Sequence, residues 1–193
     1  MRRLTWGIIG AVVVLAAAGT TTFVALSGGG GDYKTLPTCG ELASAVPGKP
    51  AMTVGDNVTN AADYLGMHPA YSSIACDGAP GVQVSVELYQ ASDMDLYTTH
   101  RYPDKKVHDG DARAQAMFDH EAAHFDALNG NVRFGSVQFA GDDCTVVQVK
   151  RNAIVRLMVP NPAATPKALE QRKATCRQIA QTQMSKVVDA ALG

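Results

Sequence analysis

An uncharged run from Leu4 to Ser27 follows Met1-Arg2-Arg3 and ends at Gly28–Gly31, and it confines any globular fold to the residues that come after it. About 24 residues at 1.5 Å rise span roughly 36 Å as a helix, enough for the ~30 Å hydrocarbon core of a bilayer with some tilt. The expectation is a transmembrane anchor over 4–27 behind a cytoplasmic flank of residues 1–3. Arg2 and Arg3 hold that flank inside by the positive-inside bias, which puts everything after Gly31 outside the plasma membrane. A cleavable signal peptide is the alternative, since Ala16-Ala17-Ala18 supplies small residues after an apolar stretch. Apolar residues continuing through Phe23, Val24, Ala25 and Leu26 favour the uncleaved anchor. Leu36-Pro37-Thr38 lacks the small residue that precedes a lipoprotein cysteine, so Cys39 is left for a disulfide.

The glycines read as part of a flexible tether over 28–37. Residues 38–193 then form one extracytoplasmic domain, of a size that buries about 70% of its unfolded surface. The formal charge of −1 for the chain becomes about −3 for the exported part once Arg2 and Arg3 are set aside. Acids and bases are interspersed, so no basic face invites nucleic acid. Cys39, Cys76, Cys144 and Cys176 all fall on the exported side, with no Cys-x-x-Cys pair. Such spacing argues against zinc or thiol redox chemistry, and in an oxidising compartment an even count reads as two disulfides with three possible connectivities. The preferred pairing, Cys39–Cys76 with Cys144–Cys176, would twice tie a helix to a strand.

Thr38-Cys39-Gly40-Glu41 reads as a capping box opening a short helix, which Pro47-Gly48-Lys49-Pro50 stops. Weak strand character follows near Met52–Val54, then a helical turn at Asn60–Leu65. Beyond Asp77-Gly78-Ala79-Pro80-Gly81, Val82, Val84, Val86 and Leu88 alternate with Gln83, Ser85, Glu87 and Tyr89, the pattern of a hairpin with one wet face. Asp109 or Asp111 caps a helix expected to run to about Leu128 and to end at Asn129-Gly130. Strands are expected over Val132–Phe139, Cys144–Val149 and Ala153–Val159, the last two joined by a tight turn at Lys150-Arg151-Asn152. Thr165-Pro166 opens a long terminal helix whose Leu169, Cys176, Ile179, Ala180, Val187 and Ala191 form a stripe for the sheet. This order predicts an α+β domain: an antiparallel sheet with helices packed on one face and two disulfides, preceded by one N-terminal transmembrane helix.

One motif has catalytic form. His120-Glu121-Ala122-Ala123-His124 matches H-E-x-x-H within the predicted helix, where two imidazoles one turn apart would share a zinc ion while Glu121 activates its bound water. The resemblance to zinc metallopeptidases stops there. Their metzincin branch requires Gly at 127 and His or Asp at 130, where this chain has Ala127 and Gly130. Glu170 belongs to the start of the terminal helix, and Asp142 and Asp143 look like turn residues. On a helical wheel His120 and His124 fall opposite the Phe118, Ala122, Phe125 and Ala114 stripe, beside Arg113, whose charge disfavours a divalent ion. A peptidase also needs a second lobe and a cleft. The expectation is therefore no catalytic residue, no cofactor and no resident metal, with zinc on His120 and His124 and Glu121 as base as the alternative.

Other chemistries have less to stand on. No Gly-x-Ser-x-Gly elbow exists, Gly135-Ser136 lies in a strand pattern, and Gly28–Gly31 lacks the Lys-Ser/Thr of a phosphate loop. Asp109-Gly110-Asp111 hints at calcium but lacks the further acidic ligands of an EF-hand, so loop and cap is the reading. His68 and His100 are isolated loop histidines. Tyr97, Tyr102 and Arg101 would line a ligand surface or form an ordinary loop.

Thr38-Cys39 opening a short helix, Ala75-Cys76-Asp77 before a Val-alternating strand, Cys144-Thr145-Val146-Val147, and Cys176 in an amphipathic terminal helix carry a family likeness. Together they resemble the actinobacterial extracytoplasmic domains of unknown function, which occur as lipoproteins or single-span proteins. Those are similar in plan to the sensor domains of some receptor kinases of the same bacteria. Asp77-Gly78-Ala79 stands where that family commonly carries an aromatic residue, and the lipobox of its lipoprotein members is missing. The resemblance implies disulfides joining consecutive cysteines and a binding, sensing or accessory role, and it transfers no catalytic residue. The expectation is a single-pass plasma-membrane protein whose C-terminal domain lies outside the cytoplasm. Its partners would be the membrane through the N-terminal helix and an envelope ligand or membrane protein, without nucleic acid.

Overall fold

The computed structural model of the chain describes residues 32–55, 71–91, 107–135, 143–161 and 169–193, with backbone alone at Tyr71. The expected membrane span over 4–27, its signal-peptide alternative, the helical turn at Asn60–Leu65 and the Thr165-Pro166 cap lie outside those residues. Among the described residues no helix is long and apolar enough to cross a membrane.

The elements run α1 (Cys39–Ala45), β1 (Met52–Val54), β2 (Tyr71–Gly78), β3 (Val82–Tyr89), α2 (Gly110–Glu121), β4 (Asp126–Asn129), β5 (Val132–Gly135), β6 (Asp143–Lys150), β7 (Ala153–Pro160), α3 (Leu169–Thr182) and α4 (Met184–Leu192). The strands form one seven-stranded sheet in the order β1-β2-β3-β7-β6-β5-β4, every pair antiparallel. The α+β class, the antiparallel sheet and both disulfides match the expectation.

Side chains alternate across a strand, so each face of the sheet carries its own core. Val84, Val86, Val146, Val155 and Leu157 point to one face and pack with Leu42 of α1, Cys176 and Ile179 of α3, and Met184 and Val187 of α4. Tyr89, Val147, Val149 and Ile154 point to the other, under Ala114, Met117, Phe118 and Ala122 of α2 and its cap. Among the described residues three helices thus share a face, and α2 covers part of the opposite one. The sequence carries the reason in β6 and β7: Val146-Val147 and Ile154-Val155 are apolar on consecutive positions, the pattern of strands buried on both sides.

Two helix expectations are corrected. The chain leaves the helix after Glu121 rather than continuing to Leu128, and Asp126–Asn129 pairs with β5 instead. Phe125 causes the break by stacking on Gly135, where an added Cβ would come within 2.6 Å of its ring. Asn129-Gly130, read as a helix terminator, turns the β4–β5 hairpin, with the Asn131 amide donating to Asn129 Oδ1 at 2.9 Å. The long terminal helix is two helices broken at Gln183, whose φ of −115° departs from helical geometry. Leu169, assigned to the core stripe, is 58% exposed, while the other five stripe residues are buried. Tyr89, placed on the wet face of the hairpin, is also buried. Only Val132–Gly135 of the strand expected to reach Phe139 is described.

Residues 32–38, ahead of α1, fall in the same compact unit as the sheet. Leu36 packs against the main core, and Tyr33 is fastened by Asn152, a fully buried residue of the β6–β7 turn. Asn152 Oδ1 accepts from the Tyr33 amide at 2.8 Å, and its Nδ2 donates to the carbonyls of Tyr33 and Tyr89, each at 2.9 Å. Arg151 lies over the Tyr33 ring at 5.6 Å. Asn152→Ala would leave three backbone groups without this partner, at an expected cost of about 2–3 kcal/mol. Urea unfolding should register it as a lower midpoint at unchanged slope.

Both disulfides join a helix to a strand: Cys39 of α1 to Cys76 of β2, and Cys144 of β6 to Cys176 of α3, with Cα separations of 5.5 and 5.4 Å. The first is positioned by the capping box. Thr38 Oγ1 accepts from the Glu41 amide at 3.3 Å, and Glu41 Oε2 accepts from the Thr38 amide at 2.7 Å. Those Thr38 donors hold the Glu41 carboxyl below its ordinary range.

Candidate functional site

A group of hydrogen-bonded ionisable side chains lies where the end of α2 meets the sheet. Register sets it up: Ser85 pairs with Arg156 and Glu87 with Ile154, so Glu87 and Arg156 sit diagonally on the face that α2 covers. Arg156 Nη1 donates to Glu87 Oε1 at 2.6 Å, and Nη2 donates both to Glu87 Oε2 at 3.4 Å and to Glu121 Oε2. The Tyr89 hydroxyl completes the group by donating to Glu87 Oε2 at 2.8 Å. One guanidinium therefore serves two carboxylates from different elements. A second arginine reaches the same end of α2, with Arg133 of β5 donating to Asp119 Oδ1 at 2.9 Å and lying over the Phe118 ring at 4.7 Å.

Half-burial gives these groups shifted protonation. Burial raises the Glu121 carboxyl above its ordinary value, with Arg156 opposing and Glu87 adding to the rise. Burial also works against the Arg156 charge, but Glu87 and Glu121 outweigh it and hold the guanidinium protonated beyond its usual range. Burial and the neighbouring Glu87 push the Tyr89 phenol well above its ordinary value. Each cation and anion here has a protein partner, which describes a strut between helix and sheet.

The H-E-x-x-H residues do not assemble as that motif requires. His120 closes the last turn of α2, whereas His124 lies beyond Ala122, where the helix has ended, so the two are not one turn apart on a helical face. Both are exposed. Glu121 turns to the sheet and its Arg156 partner, away from the position of a base on zinc-bound water. Among the described residues no three His, Cys, Asp or Glu side chains gather in ligand range. These donors do not fit a catalytic zinc.

Arg113, placed by the helical wheel on the solvent side with the histidines, is buried instead. Its Nη1 donates to the Val107 carbonyl at 3.2 Å, because the chain leading into α2 folds over that flank. Asp109 is the cap of α2, its Oδ1 accepting from the Ala112 amide at 3.1 Å. Asp111 is exposed beside an open depression of about 480 Å³ lined also by Asp109, Gln115, Asn131 and Arg151. Burial, Asp32 and Asp109 raise the Asp111 carboxyl, against the pull of Arg151. Asp143, read as a turn residue, opens β6 opposite Pro160. Glu170 is exposed on the first turn of α3. His68, His100, Tyr97, Arg101, Tyr102, Ser136 and Asp142 lie outside the described residues.

Sequence reasoning had singled out Glu121 but missed Glu87, Tyr89 and Arg156. A signal existed for Arg156, which interrupts the apolar run Ile154–Leu157 with a charge, whereas Glu87 falls in the polar half of an alternating strand and carried none. No family model, no curated protein and no solved structure matches the chain.

Proposed function

We propose that the chain is a membrane-tethered extracytoplasmic domain that binds an envelope component, a small ligand or a partner protein, and that its fold is a crosslinked scaffold rather than a catalyst. The observation that carries this reading is the pairing of all four cysteines in two buried helix-to-strand disulfides. Such bonds persist where thiols are kept oxidised. Engagement of Glu121 with Arg156 supports the non-catalytic part, because the side chain in the base's position already has a cationic partner. The likeness to receptor-kinase sensor domains supports the binding or sensing part.

Intact cells making the full chain provide the test. A membrane-impermeant amine reagent should modify the exposed Lys173 and Lys186 without lysis, and modification only after lysis would contradict export. The purified full chain should carry substoichiometric zinc. Stoichiometric zinc that disappears in His120→Ala and His124→Ala would overturn the non-catalytic reading.

A further inference from the structure

We propose that the C-terminal turn of α2 is an acid-tightened latch: sharing Arg156 between Glu87 and Glu121 leaves one half-buried negative charge uncompensated at neutral pH, and uptake of one proton fastens the helix to the sheet. Geometry carries the first half. Among the described residues α2 is the one helix on its face, held by a small apolar cluster and by Arg133 and Arg156 reaching its last turn. The side chains of Glu87, Glu121 and Arg156 are 18%, 26% and 22% exposed, so water screens the excess charge only in part. Glu121 also ends its helix, where the carbonyl pole disfavours a carboxylate.

The groups facing Glu121 come from each neighbouring element. Glu87 and Tyr89 lie on β3, Arg156 on β7, Arg133 on β5, and Asp119 and His120 on α2 itself. Tyr89 stays protonated and donates to Glu87, and Arg133 is matched by Asp119, which among the described residues leaves two carboxylates against one guanidinium. The sign of the linkage follows. Docked, the Glu121 carboxyl holds its proton more tightly than when the helix is lifted into water. Docking therefore strengthens as pH falls from above the raised value towards the ordinary carboxylate range, and levels off below it. The latch stands apart from export: it holds or fails wherever the domain resides.

Hydrogen exchange of the full chain at about pH 7 and about pH 5, corrected for intrinsic rates, reads it directly. Protection of peptides covering 110–125 should rise on acidification while that of peptides covering β6 and β7 holds steady. Glu121→Gln should show the acid level of protection already at neutral pH and lose the response. Glu87→Gln leaves one carboxylate per guanidinium and should diminish the response, an undiminished one counting against the proposal; this arm decides if Glu121→Gln fails to fold. His120 adjoins Glu121 at the end of α2, so His120→Gln, which leaves Glu121 in place, must retain the response. Falling or constant α2 protection in the wild type, an undiminished response in Glu121→Gln, or its loss in His120→Gln would overturn the proposal.

Discussion

Replacing Cys144 and Cys176 together with alanine is expected to lower the unfolding free energy by about 3–4 kcal/mol. The bond closes a sequence separation of 32, and in the chain-entropy view cross-linking a loop of that size removes roughly this much disorder from the unfolded chain. Both cysteines are buried where α3 crosses β6, so the variant also loses packing between the terminal helices and the sheet. Cys39–Cys76 closes a separation of 37, and because loop entropy grows with the logarithm of length the two removals should differ by only a few tenths of a kcal/mol. Urea titrations of the wild type and of each double variant measure both numbers. Coincident midpoints for wild type and variants would show that the crosslinks contribute nothing.

Phe118→Ala should cost about 3–5 kcal/mol, the usual range for emptying a fully buried phenylalanine site. Its ring fills the cluster between α2 and the sheet and lies under Arg133, so the substitution removes both the apolar contact and the aromatic face beneath that cation. The loss should be local. That cluster is smaller than the one on the opposite face, which α1, α3, α4 and both disulfides secure. Exchange protection over 110–121 should therefore fall well before that of β6 and β7, and uniform loss across both would contradict two separable cores.

Local chemistry made the capping box, the β2–β3 hairpin and the β6–β7 turn legible, because each depends on residues adjacent in the chain. Helix ends were harder. Phe125, which the wheel puts on the core stripe of the helix, instead packs beyond the helix end on Gly135 of β5, a contact no wheel contains. Asn129-Gly130 suits a helix terminator and a hairpin turn equally, and tertiary pairing chose between them. The ion group was least accessible, since Glu87 and Arg156 are 69 residues apart and meet only because β3 pairs with β7. Arg113 went to the wrong side because a wheel places a residue relative to its own helix and carries no information about the chain that folds over it.

Oxidation state in the cell bears most directly on a crosslinked, exported scaffold. Intact cells producing the full chain would be alkylated before lysis, and peptides from a digest without reductant mapped by mass spectrometry. Cys39 should appear joined to Cys76 and Cys144 to Cys176, with no alkylated thiol. Four alkylated cysteines, or any other pairing, would contradict the account.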